Sequence, residues 1–520
     1  MATPQEKLAA SLEKLEALQR SGRRVFRSDE LSRAHRERLV RQGFLLDVMK
    51  GWVISTNPGT NPGDTTPWYA SFWEFCTRYC NDRFDDQWHL SPEQSLLLYA
   101  EHTIVPRQLV IYSPKGTNNT IDLLFGTSLY DLKQAQMLHR RDLVHWQGLP
   151  AYSAAAALVK VPAAFFRRHP LEAQIILAAI DDPSDLLGRL LDGGHSAAAG
   201  RLAGALRCVG QEDRAQDLVE TMKAAGYDIR ESNPFDPSQK QGRPGNSLAP
   251  IVGRLELLWE SLRRPVLKVF PESAEKPVDA GRYLHLVDQI YQSDAYHSLS
   301  IEGYLVTPDL IERVRSGDWN PDANESDQRS RDALAARGYW EAFQLVRESV
   351  ARIIAAENPG EVVRSAHRDW YRALFQPCVR AGLIAPSALA GYRNDAVYIR
   401  GSRHVPPRWE VMQDAMPALF DLIEKEPEPA VRAVLGHWLI GYIHPYPDGN
   451  GRMARFAMNA MLAAGGYPWT VIRVEDRHEY LATLETASVD LAIEPFARFI
   501  AERVDWSSGQ NAGRGRSTGG

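Results

Sequence analysis

Cysteine is scarce in this 520-residue chain. Four residues, Cys76, Cys80, Cys208 and Cys378, are too few and too scattered for a disulfide framework, which fits a reducing, cytoplasmic compartment. Cys76 and Cys80 with His89 have no second pair of ligands at finger spacing, so the pair reads as packing beside Phe72, Trp73, Phe75 and Tyr79. Long apolar runs are missing: Ala154 to Phe166 is broken by Lys160 and Pro162, and Met1 to Arg20 carries alternating charges where a signal peptide would carry an apolar core. No membrane partner is expected. Excess charge of one sign is missing as well, since a formal net charge of -5 gives the whole chain no polyanion-binding character and confines any nucleic-acid surface to a local patch. The absence of a Gly-x-x-x-x-Gly-Lys-(Ser/Thr) loop leaves P-loop chemistry unsupported, and no internal repeat is found.

What is present is a soluble-protein composition, 44% hydrophobic with 13 Trp, long enough for three or four domains. The densest chemistry lies in His444-Pro445-Tyr446-Pro447-Asp448-Gly449-Asn450-Gly451-Arg452-Met453-Ala454-Arg455. Apolar residues Val431, Val434, Leu435, Trp438, Leu439 and Tyr442 predict a helix over 430–443, ended by Pro445, so that His444 sits at a helix terminus. The turn residues 448–451 then open a second helix over 452–464. Amides at such a helix start suit an anion, and Arg452 and Arg455, three apart, can reach the same one, which implies more than one phosphate. Asp448 is a hard oxygen ligand for Mg²⁺ beside phosphates, and His444 is the natural general base for a hydroxyl.

This stretch resembles the signature of the Fic family, His-Pro-Phe-x-(Asp/Glu)-Gly-Asn-Gly-Arg-x-x-Arg, with Tyr446 in place of Phe. Fic proteins are mostly helical enzymes that move AMP from ATP to a Ser, Thr or Tyr hydroxyl of a target protein. The resemblance implies that His444 deprotonates the acceptor, Asp448 holds Mg²⁺, Gly449, Asn450 and Gly451 form the anion nest, and Arg452 and Arg455 bind the phosphates. Gly451 stands where phosphorylating members carry Lys, which favours nucleotidyl transfer. Ser298-Leu299-Ser300-Ile301-Glu302-Gly303 places Ser298 and Glu302 on one helix face with Gly303 able to end that helix. It resembles the family's inhibitory motif, in which Glu302 would pair with Arg455, take the γ-phosphate's place and leave the enzyme self-inhibited. The stretch 392–402 reads as a β-hairpin, and in the family this position is the flap that aligns the target by strand addition, here through Val397, Tyr398 and Ile399. His437, on the same helix side as His444, reads as a packed histidine.

The N-terminal half is of another kind. A leucine stripe (Leu8, Leu12, Leu15, Leu18), a capped helix over 31–42 and a small β wing over 44–54 suggest a winged helix-turn-helix. Eight arginines against three acids over 20–41 could meet DNA phosphates, with Arg33, Arg36 and Arg38 as candidates. The pattern resembles the N-terminal domain of AbiEi-like type IV antitoxins. The expected organisation is a winged helix-turn-helix over 1–60, a mixed α/β antitoxin-like domain over 61–232, a Pro/Gly-rich linker over 233–250, an all-helical Fic domain with its hairpin flap over 251–505 and a disordered tail over 506–520. The expected function is a self-inhibited protein adenylyltransferase using ATP and Mg²⁺ on a hydroxyl-bearing protein partner. A DNA-binding antitoxin or regulator with a Fic toxin or sensor domain, and a Fic-type de-AMPylating hydrolase, are the alternatives. The oligomeric state stays open, with a homodimer among the choices.

Overall fold

The computed structural model describes residues 3–58, 64–146, 148–180, 183–236, 249–272, 279–318 and 331–517. Most of the expected linker, 237–248, lies outside the described residues. The chain divides into two compact units, Met1–Arg254 with Tyr398–Val405, and Leu255–Val397 with Pro406–Gly520.

In the first unit, α1 (Pro4–Gln19) is opened by a capping box between Thr3 and Glu6. It is followed by β1 (Val25–Arg27), α2 (Arg33–Arg41), β2 (Leu45–Met49) and β3 (Trp52–Ser55). The strands form an antiparallel sheet ordered β1-β3-β2. Leu15, Phe26, Leu31, Leu39, Leu45 and Val53 make a small core between helices and sheet. Next, α3 (Thr66–Phe84) buries its aromatic stripe, Trp68, Phe72, Phe75 and Tyr79, together with Cys76 and Cys80. These residues share a core with Leu109, Ile111 and Leu129.

The second sheet runs β4-β5-β7-β6, where β4 is His89–Leu90, β5 Gln108–Ser113, β6 Asn119–Asp122 and β7 Ser128–Lys133, and β5 pairs with β7 in parallel. A helix α4 (Pro92–Tyr99) lies between β4 and β5, and a two-stranded sheet of β8 (Leu143–Trp146) and β9 (Leu149–Tyr152) follows. Six helices close the unit: α5 (Ala154–Lys160), α6 (Ala164–Arg168), α7 (Pro170–Ala179), α8 (Pro183–Asp192), α9 (Ser196–Cys208) and α10 (Glu212–Ala224). Arg254, 2% exposed, donates to the Glu172 carboxylate at 2.7 Å, a buried charge pair of the kind that is costly to break.

The regular elements of the second unit's described residues are helices: α11 (Pro250–Val269, of which Leu255 onward belongs here), α12 (Ala280–Ile301), α13 (Pro308–Ser316), α14 (Arg331–Ile354), α15 (Pro359–Arg380), α16 (Met412–Lys425), α17 (Pro429–Ile443), α18 (Asn450–Ala464), α19 (Arg477–Val489) and α20 (Glu494–Ser517). The central pair α17 and α18 is buried on nearly every side, which is why 429–443 carries almost no charge.

Two expectations are corrected here. No hairpin forms over 392–402: the stretch holds bends at 392 and 394–395 and a turn at 400–401 with no strand between them, and the bridge Ile104↔His404 lies just beyond it. Its polar groups are taken elsewhere, Arg393 N by the Pro445 carbonyl and Gly401 N by the Thr66 hydroxyl, so no ladder is left to close. The tail also differs over 506–517, because α20 continues to Ser517, while 518–520 lie outside the described residues. Its first half is anchored by buried Phe496, Phe499, Ile500 and Val504, and extending a formed helix adds one hydrogen bond per residue.

Close packing of α14 on α15 depends on Gly338. A Cβ there would stand 2.1 Å from the Leu374 carbonyl oxygen and 3.2 Å from that of Ala373, both backbone atoms that cannot rotate away. Gly338→Ala should therefore destabilise by about 1–3 kcal/mol, outweighing the helix-propensity gain. Gly281→Ala, whose Cβ would meet only Asp279 Oδ1 at 3.5 Å, should not. Thermal unfolding checks this, and equal midpoints for the two variants would contradict the packing argument.

Candidate active site

The site is built where α17 stops. His444 caps that helix in the left-handed region (φ 51°, ψ 58°), a conformation costly for a residue with a Cβ and one that turns the chain sharply. Arg393 secures the turn: its Nε donates to the His444 carbonyl at 2.8 Å, its backbone N to the Pro445 carbonyl at 2.9 Å, and its Nη2 to the Pro407 carbonyl. His444 Nδ1 lies 3.1 Å from the Gly441 carbonyl, which can only accept, so Nδ1 carries the proton and Nε2 is left with a lone pair. Burial pushes the imidazole below its ordinary value, against the opposing pull of the Gly441 bond. Neutral His444 is the form that can take a proton.

From His444 the chain returns into α18. Asn450 folds its side chain back, accepting from Tyr446 N at 2.9 Å and donating to Tyr446 O at 2.8 Å, and so closes the loop with both halves of its amide. Tyr446 is buried and stacked on Tyr371 with ring centroids 3.9 Å apart, although its hydroxyl finds no partner. Gly449 is left-handed (φ 80°), and a Cβ would meet the Phe375 ring at 2.8 Å, so glycine is required twice over. The backbone amides of Asn450, Gly451 and Arg452 begin α18 and have no intrahelical acceptor, which makes this end an anion-binding position.

Two arginines stand behind those amides. Arg455, 5% exposed, donates from Nε to the Ser298 hydroxyl at 2.9 Å, and from Nη2 to the Ser298 carbonyl at 3.0 Å and to Glu302 Oε1 at 2.7 Å. Glu302 is the C-cap of α12, and Gly303 (φ 87°) follows it. Desolvation would raise the Glu302 carboxyl, but the Arg455 and Arg452 guanidiniums outweigh it and hold the group below the usual carboxylate range. The carboxylate reaches the start of α18: a Cβ at Gly451 would lie 2.4 Å from Glu302 Oε1. Arg452 is 1% exposed, sits 4.9 Å from the Phe375 ring centre and 5.3 Å from that of Tyr304, and leaves Nε and Nη2 without a hydrogen-bond partner. Arg455 Nη1 is likewise unfilled. Asp448 is exposed, with Oδ1 accepting from Gly449 N at 2.6 Å and Oδ2 3.6 Å from Arg452 Nη2.

His444, Asp448, Gly449, Asn450, Gly451, Arg452, Arg455, Ser298 and Glu302 thus lie together in the second unit. Val397 belongs to the second unit, whereas Tyr398 and Ile399 belong to the first, where Arg24 lies over the Tyr398 ring. In the first unit Arg33 pairs with Glu37, Arg36 bonds the Ser28 carbonyl at 3.4 Å, and Arg38 turns inward to Lys7 O and Ser11 Oγ. His437 is in the core, bonded to the Tyr480 hydroxyl at 2.7 Å, with burial pulling its pKa down to about 3. Sequence reasoning missed Arg393, Phe375 and Tyr304. Arg393 gave no signal at all, while Tyr371 and Phe375, four apart on one helix face, and Tyr304, next to the Glu302-Gly303 pair, could have been flagged as aromatic partners for the arginines.

Residues 361–462 match the model of the Fic/DOC family. The chain carries a Fic domain. Relatives named protein adenylyltransferase Fic include one from Nematostella vectensis, 43% identical over 124 residues that cover 23% of this chain and 28% of the relative. Another, from Culex quinquefasciatus, is 34% identical over 243 residues, covering 44% of this chain and 45% of the relative. The matches therefore span less than half the length of these relatives. Among solved structures, Fic-1 from C. elegans aligns over 70% of this chain and 92% of its own at 17% identity and a TM-score of 0.38. Among the described residues no helix is long and apolar enough to cross a membrane.

The ion pair in the Fic domain has a consequence for stability. The folded Glu302 carboxyl titrates below its ordinary value of 4.5, so its contribution is complete above that pH and is lost as pH falls through the folded value. Glu302→Gln should lower the melting temperature at pH 7, and the gap to wild type should close below pH 4.5. Melting curves across that range check it, and a gap that widens in acid would contradict the pairing.

Proposed function

We propose that this protein is an adenylyltransferase that moves AMP from ATP to a Ser, Thr or Tyr hydroxyl of a target protein, and that Glu302 restrains it. The observation that carries the reading is the convergence of a neutral His444, whose proton sits on Nδ1, with two buried arginines and the open amides of α18. The family match contains every residue of that set from His444 to Arg455, and the relatives bear the name of this activity.

In the proposed step the target oxygen attacks the α-phosphorus, the bond to the β,γ-pyrophosphate breaks and pyrophosphate leaves, while the hydroxyl proton passes to His444 Nε2. The amides of 450–452 and the guanidiniums of Arg452 and Arg455 hold phosphate oxygens. Mg²⁺ fits the donor set, because Asp448 offers a single exposed carboxylate and the phosphates supply the other oxygens; the ion would neutralise phosphate charge.

Restraint follows from occupancy. Glu302 fills Arg455 Nη2 and reaches Gly451 at the helix start, so a terminal phosphate and this carboxylate compete for the same donors. A second reading, in which Glu302 and His444 direct water onto an AMP-modified target, uses the same carboxylate held at Arg455. Supplying modified target without ATP separates the two. Nucleic-acid binding by residues 1–60 forms no part of this proposal.

Incubation with labelled MgATP tests the assignment. The Glu302→Gly form should label itself or lysate proteins and the Glu302→Gly/His444→Ala form should not, while equal labelling would contradict His444 as base. Because His444 lies below its ordinary value of 6.5, the acid limb of the Glu302→Gly rate should bend below that pH. A bend at or above it would point to another base.

A further inference from the structure

The loop after Glu302 brings a second side chain to the same place. Tyr304 is half-buried, and its ring centre lies 5.3 Å from the Arg452 guanidinium and 5.3 Å from that of Arg331. Arg452 meets another ring at Phe375, 4.9 Å away. Guanidinium–ring contacts use the face of the cation and leave its hydrogen-bonding edge available. In Arg452 the two donors without a partner, Nε and Nη2, lie along one edge and form the fork that matches a pair of phosphate or carboxylate oxygens. Asp448 Oδ2 pairs with Nη2 at 3.6 Å, beyond hydrogen-bond length. A guanidinium only 1% exposed thus lies against aromatic rings with neither donor of its fork hydrogen-bonded, beside the first turn of α18.

We infer that Tyr304 is a positioning residue which, with Phe375, orients the Arg452 fork for a phosphate group of the nucleotide. This rests on the reading of Arg452 as a phosphate ligand. The short segment 302–304 then acts on both arginines with opposite sign: Glu302 withholds Arg455, and Tyr304 readies Arg452. Between them stands Gly303, left-handed at φ 87°.

The test uses the full-length Glu302→Gly protein as background. Tyr304→Phe keeps the ring and should preserve KM for ATP, whereas Tyr304→Ala and the bulk-preserving Tyr304→Leu should each raise it about 3- to 10-fold, with kcat changed less. Titration of ATP into the same variants carrying His444→Ala should give the same order of affinities without turnover, so a failure of the adenylyltransferase reading would not hide the result. Unchanged affinity in Tyr304→Leu, tighter binding in Tyr304→Ala, or a Tyr304→Phe protein as weak as Tyr304→Ala would each overturn the inference.

Discussion

A guanidinium removed from water must be answered by protein groups, and in this molecule the site is organised around that requirement at Arg455. Its Nε and Nη2 are satisfied by the hydroxyl and carbonyl of Ser298 and the carboxylate of Glu302, all from the last turn of α12. Breaking such a pair leaves a buried charge uncompensated, so α12 is tied to α18 for as long as Glu302 stays. The same requirement makes the pair exchangeable. A phosphate oxygen can replace the carboxylate at little cost to the arginine, because it brings the same charge to the same donor. Stability of the resting form and suitability for a nucleotide therefore rest on one contact.

The loop that carries the chemistry is held just as firmly. Asn450 closes it on Tyr446, Tyr371 stacks beneath, and Arg393 fixes the carbonyls of His444 and Pro445. These contacts keep His444 in a left-handed conformation that an isolated chain would avoid, and they set which of its nitrogens holds the proton. Preorganisation of this kind removes the need to move a base or an anion site during the reaction.

Much of the second unit was legible because its signals are local. Helix 430–443 and its successor follow from apolar spacing and from Pro445 and Gly449, and the four-residue spacing of Ser298 and Glu302 is enough by itself to put them on one helix face. Less was legible where a residue's role depends on distant partners. The β-forming residues of 392–402 suggested a hairpin, but their hydrogen bonds are spent on the 444–445 loop and on Thr66. The N-terminal arginines stand out by count, but the count gives no neighbours: Arg23, Arg27 and Arg33 are paired with Glu30, Asp82 and Glu37. Arg393 and Tyr304 carry no motif, and only proximity in space reveals what they touch.

The central claim is that Glu302 and a terminal phosphate exclude each other at Arg455, and the most direct measurement is nucleotide discrimination at equilibrium. ATP and ADP are titrated separately into the His444→Ala protein and into His444→Ala/Glu302→Gly, so that nothing turns over. The account predicts that the preference for ATP over ADP is small while Glu302 is present and grows when it is removed, because Arg455 is then free for the third phosphate. An ATP-to-ADP affinity ratio that is the same in both proteins would contradict it.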